Sequence, residues 1–113
     1  MHELSLVNSI VETCEETVRQ HGGKTIQKIV LEMGTLSGVE RDAFEFVWSC
    51  GVENTVLHHA KKEIITPKAQ ALCRNCQQHY YPEIIYDACP ECGSFDSEWL
   101  KGRTFMIKSI IIK

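Results

Sequence analysis

The chain has 113 residues, enough for one ordinary domain or a small domain carrying a smaller module. Its 12 Lys+Arg against 15 Asp+Glu give a net charge of -3, and 43% hydrophobic with 24% charged residues is the balance of a folded protein, not a disordered one. No apolar run approaches the roughly 20 residues that cross a bilayer. The opening Met1-His2-Glu3-Leu4-Ser5 lacks the basic flank and apolar core of a secretion signal, and no lipidation motif is visible, so the expected location is the cytoplasm.

Residues 4–21 repeat at helical spacing. Leu4, Val7, Val11, Cys14, Val18 and His21 form a stripe widened by Ile10, with Glu12, Glu15, Glu16 and Arg19 on the other face. Gly22-Gly23 predicts the helix stop, because glycine tolerates the left-handed cap. Residues 25–33 alternate as a strand, with Ile29, Leu31 and Met33 on one face. Ser37-x-x-Glu40 reads as a capping box for a second helix whose apolar face would hold Val39, Ala43, Phe46, Val47 and Cys50. Cys14 and Cys50 are expected in the core, as small hydrophobes. Residues 51–61 read as a loop carrying the exposed pair His58-His59, and 62–66 as a short strand stopped by Pro67. Trp48 is expected to pack helix 2 and Trp99 to sit at a domain junction.

Residues 69–100 differ in character. They hold five acids (Glu83, Asp87, Glu91, Asp96, Glu98) against one base (Arg74), a net of -4, whereas the rest of the chain has 10 acids and 11 bases. Residues 103–112 return to strand character with Phe105, Ile107 and Ile111 on one face and Met106, Ile110 and Ile112 on the other. Such a strand needs a sheet with cover, so it is expected to rejoin the strands of 25–33 and 62–66. The predicted class is α+β, with residues 1–68 plus 101–113 as one domain and 69–100 as a module inserted before the last strand. A hinge near 67–69 and 100–102 would let domains exchange between chains, so a homodimer is admissible.

The inserted module carries Cys73-x2-Cys76 and Cys89-x2-Cys92. Each pair turns two sulfurs toward one ion, and the stretch containing Tyr80, Tyr81, Ile84, Ile85 and Tyr86 is expected to fold back as a hairpin that joins them. Four thiolates at about 2.3 Å suit a structural, tetrahedral Zn2+ with a closed shell. A module this small has little core, so the ion would supply much of its folding free energy, on the order of 10 kcal/mol or more. A rubredoxin-like iron site and a thioredoxin-like redox pair are the rivals. The short gap between pairs disfavours the first, and the second needs a helix N-terminus to acidify a thiol. The module's acidity, increased by a formal -2 on a zinc tetrathiolate, excludes nucleic acid as a partner. His79 reads as a solvent-facing residue after the first pair.

The first three residues offer a second donor set. The Met1 amine, the His2 amide nitrogen and the His2 imidazole can close fused chelate rings on one ion, and Glu3 can add an oxygen; such nitrogen-rich donors suit Ni(II) or Cu(II). From residue types alone, an ordinary helix start with Glu3 complementing the dipole is the simpler reading.

The opening Met-His-Glu-Leu-Ser-Leu, the stretch Leu31-Glu32-Met33-Gly34-Thr35-Leu36-Ser37, both Cys pairs at this separation and Ile107-Lys108-Ser109-Ile110 occur in order along the chain. Together they resemble the HypA/HybF family of hydrogenase nickel-insertion accessory proteins, over essentially the whole chain. The resemblance implies two helices on a three-stranded sheet plus a zinc-ribbon-like module. It implies nickel, the transferred ion, at Met1, His2 and Glu3, and structural zinc at Cys73, Cys76, Cys89 and Cys92. In some members an acidic residue at the position of Glu40 is an added nickel ligand; here the capping role is preferred. It further implies a HypB-type nucleotide-binding partner and delivery to the hydrogenase large-subunit precursor, with some relatives also serving urease maturation. The expected protein is a metallochaperone, not an enzyme. The alternative is a zinc-ribbon adaptor that docks partners without transferring nickel.

Overall fold

The structure is a computed structural model and describes residues 3–113. Helix α1 (Glu3–Gln20) is followed by β1 (Ile26–Met33), α2 (Arg41–Gly51), β2 (Lys61–Ile65), β3 (Gln70–Cys73), β4 (His79–Tyr80), β5 (Ser97–Lys101) and β6 (Phe105–Ile112). The strands form two three-stranded sheets, ordered β2-β1-β6 and β4-β3-β5. The α+β class holds, and the last strand does return to β1 across the intervening module. None of the described helices is long and apolar enough to cross a membrane.

Contacts divide the chain into two compact units. The first comprises the chain up to Leu31 with Val39–Ile64 and Ile107–Lys113, and the second Glu32–Gly38 with Ile65–Met106. In the first unit, α1 buries Val7, Ile10, Cys14 and Val18, and the sheet contributes Ile26, Ile29 and Leu31. Leu4, expected in the helical stripe, is exposed. Gly22 (φ +66°) supplies the left-handed stop after α1.

Helix α2 departs from the expected phase. Ser37 is not its cap, because Ser37 is drawn into a turn in which its N–H donates to the Gly34 carbonyl (3.0 Å). Glu40 is itself the N-cap, with extended backbone and Oε1 accepting from the Asp42 N–H (2.9 Å). The buried face is then Phe44 and Trp48, whose tilted rings have centroids 5.6 Å apart, while Phe46 is 77% exposed. Cys50 is also exposed and is no part of the core. This phase buries two large aromatics in place of one. It also turns Gly51 toward α1, where any Cβ would stand 2.6 Å from Val7 Cγ1. Strand β6 is an edge of its sheet and only half-covered; Phe105, Ile107, Ile110 and Ile112 are the less exposed positions, so the expected alternation slips at Lys108-Ser109.

The second unit has a core of Ala71, Cys73, Tyr80 and Cys89, with Trp99 packed against it. Trp99 therefore serves this core, and the Arg103 guanidinium lies 4.8 Å from its ring. The expected hairpin over 80–86 is not formed. Antiparallel pairing of β3 with both β4 and β5 organises the unit, with Cys73 opposite Ser97. Tyr80 alone of the aromatic and aliphatic side chains expected in that hairpin is buried, and its hydroxyl meets Ser97 Oγ at 2.6 Å.

Candidate metal centre

The two Cys-x2-Cys segments fold as copies of one turn. In the first, the Gln77 N–H donates to the Cys73 carbonyl (2.9 Å) and the Cys73 N–H to the Gln78 carbonyl (2.9 Å). In the second, the Gly93 N–H donates to the Cys89 carbonyl (2.8 Å) and the Cys89 N–H to the Ser94 carbonyl (2.9 Å). Both turns close through a left-handed residue after the second cysteine, Gln77 at φ +65° and Gly93 at φ +75°. In each turn the first cysteine is buried and the second exposed.

The sulfurs converge. Cys73 Sγ lies 3.5 Å from Cys92 Sγ and Cys76 Sγ 3.6 Å from Cys89 Sγ, each contact joining one turn to the other. All four lie within 4.8 Å of one another. Sulfurs on a tetrahedron of radius about 2.3 Å stand about 3.8 Å apart, so the donor set fits a tetrahedral S4 ion. These separations are far beyond the roughly 2.05 Å of a disulfide. Neither pair opens a helix among the described residues, which removes the acidifying feature a thioredoxin-like reading needs.

Cys76 and Cys92 do not ionise alike. The Asn75 side-chain N–H, 3.5 Å from Cys92 Sγ, and the Ser94 N–H hold Cys92 down at about 6. At Cys76 the Gln78 N–H pulls the same way, but desolvation and the three neighbouring thiols outweigh it and push Cys76 up to about 12. A divalent ion would remove this inequality by taking all four as thiolates. Asn75 escaped the sequence reading, since nothing in Cys-Arg-Asn-Cys marks an amide that reaches across to the other turn.

At the other expected site, Glu3 opens α1 and its Oε2 accepts the Glu40 N–H (3.2 Å). The fold thus brings the Glu3 carboxylate to the backbone of Glu40, joining the starts of the two helices. Glu40 Oε1 is engaged in capping α2. Met1 and His2, the other expected nickel donors, lie outside the described residues. His79 is exposed on β4. His58 and His59 are exposed, their rings 4.4 Å apart, with His58 Nδ1 accepting the Asn54 N–H (3.2 Å).

A family model described as hydrogenase/urease nickel incorporation, metallochaperone, hypA matches residues 1–112. The hydrogenase maturation factor HypA of Francisella philomiragia is 36% identical over 111 residues, covering 98% of each chain. That of Geotalea uraniireducens is 34% identical over the full length of both chains. The solution structure of the Ni metallochaperone HypA from Helicobacter pylori has the same fold, with a TM-score of 0.72 at 24% identity, covering 99% of this chain and 97% of the other.

Proposed function

The chain belongs to the HypA family of hydrogenase/urease nickel-incorporation metallochaperones, and on that premise we propose where it holds its two ions. Ni(II) binds through the Met1 amine, the His2 amide nitrogen and imidazole, and Glu3, and is passed on during maturation of a nickel–iron hydrogenase. Zn2+ stays on Cys73, Cys76, Cys89 and Cys92. The observation that carries the zinc assignment is the convergence of four sulfurs from two equivalent turns. The family match beginning at residue 1, where Met-His-Glu stands, supports the nickel assignment.

The two sites differ in chemistry. The sulfur cage has a closed shell and is built by the fold, so its ion is structural. Two of the nitrogen donors must lose protons to bind, so nickel affinity falls in acid. Glu3 has one carboxylate edge on the Glu40 N–H, which fixes the start of α1 beside the start of α2. We take Glu40 as a helix cap and not as a nickel ligand. The recipients on this reading are a nucleotide-binding accessory protein of the HypB type and the hydrogenase large-subunit precursor, in the cytoplasm; urease maturation is a second destination that the family description allows.

Calorimetric titration of the tagless, zinc-loaded protein with Ni(II) tests this. His2→Ala and acetylation of the starting amine should each abolish the nickel heat, while Glu40→Gln, which keeps an acceptor for Asp42, should leave affinity within about twofold. Unchanged nickel binding by the His2→Ala protein would overturn the assignment and favour a zinc-ribbon adaptor without nickel.

A further inference from the structure

Residues 75–100 contain five acids and no Lys or Arg. Within this acidic stretch the loop after β4 turns large apolar side chains to water: Ile84 is 55% exposed, Tyr81 59% and Tyr86 76%, with Ile85 beside them. The loop is not slack. Asp87 Oδ2 accepts the N–H groups of Glu83 (2.7 Å) and Ile84 (3.2 Å), and the Asp87 N–H returns to the Ile84 carbonyl (3.2 Å). Buried Tyr80 and Pro82 anchor its base. A turn closed in this way holds Ile84, Ile85 and Tyr86 outward, and a rigid apolar patch kept in water is the mark of a binding surface.

Beside the patch runs a groove lined by Tyr80, Tyr81, Pro82, Glu83, Asp87 and Pro90. Among the described residues no ion pair joins Glu83 or Asp87 to a basic side chain. Aromatic walls next to carboxylates select a flat cation on an apolar stem, which is arginine. The Tyr81 ring already attracts one cation of its own chain, the Lys68 ammonium at 5.9 Å, from a neighbouring hollow.

We propose that the Tyr81–Asp87 loop docks a basic, apolar segment of a partner protein, with one arginine in the groove and flanking apolar side chains covering Ile84, Ile85 and Tyr86. Nucleic acid and anionic lipid are repelled by the same carboxylates. A second copy of this chain is a poor match, because its net charge is itself -3. The inference does not depend on where nickel binds.

The test is an amide NMR titration of the zinc-loaded full chain with the peptide acetyl-Leu-Ser-Arg-Leu-Lys-amide and with its citrulline-for-arginine twin. Shifts should gather on residues 80–90. Binding should weaken at least tenfold with citrulline, with Asp87→Asn plus Glu83→Gln, and with Ile84→Ser plus Tyr86→Ser. Glu91→Gln and Glu98→Gln should change it less than twofold. Asn keeps the acceptor that closes the turn, and the Ile84→Ser plus Tyr86→Ser protein, altered only at exposed positions, decides the case if the turn is lost. Shifts spread over all the acids, equal binding of the citrulline peptide, or unchanged binding by the Ile84→Ser plus Tyr86→Ser protein would each overturn the proposal. So would an ultracentrifugation result in which those serine substitutions dissociate a dimer, since the occupant would then be a second copy.

Discussion

Removing the metal from the sulfur cage should unfold the second unit and leave the first standing. The buried cluster around the sulfurs in the second unit is Ala71, Cys73, Tyr80 and Cys89, with Trp99 half-buried against it. Two of those four core side chains are metal ligands on the reading above. Setting the thiols aside, burial of Tyr80, Ala71 and half of Trp99 contributes about 6 kcal/mol. A structural zinc contributes about 10–16 kcal/mol, so the ion outweighs the side chains of this cluster. The first unit has an independent core that includes Val7, Ile10, Cys14, Ile29, Leu31, Phe44 and Trp48. Hydrogen exchange read by mass spectrometry distinguishes the two. After complete chelation, β3 and β5 amides should lose at least about three powers of ten in protection, the equivalent of about 4 kcal/mol. Amides of α1 should keep theirs. Undiminished protection of β3 and β5 in a protein shown to be metal-free would refute the argument that the ion holds this unit together.

Two further predictions concern the first unit. Phe44→Ala should lower its stability by about 3–5 kcal/mol, whereas Phe46→Ser should stay within about 0.5 kcal/mol; urea denaturation followed by helical circular dichroism measures both, and a larger loss from Phe46 would mean that α2 is turned the other way. The buried Cys14 thiol is pushed up to about 11, by desolvation first and then by the Glu15 charge. Because its folded value lies above the ordinary 9.0, its contribution is full below about pH 9 and is lost as pH rises through about 11. The stability gap between the parent and Cys14→Ala should therefore narrow from pH 8 to pH 11, and a gap that stays constant would show that the thiol titrates normally.

Sequence alone determined the features that close within a few residues. The glycine stop of α1, the alternation of β1 and the two metal-binding turns rest on neighbours, since each Cys-x2-Cys turn is completed by hydrogen bonds spanning four or five residues. The identity of those residues therefore specifies the geometry wherever the segment is placed. Tertiary structure decided which of two competing faces α2 buries, because Phe44 and Trp48 win only against a partner helix that Gly51 lets approach. It also decided that Cys50 faces water, that Trp99 joins the cysteine core, and that Glu3 meets Glu40 across 37 positions of chain. It turned Ile84, Ile85 and Tyr86 outward, where a hairpin joining the two Cys pairs was expected. In each of these cases more than one arrangement satisfied the local pattern, and the choice fell to contacts between residues far apart in the chain.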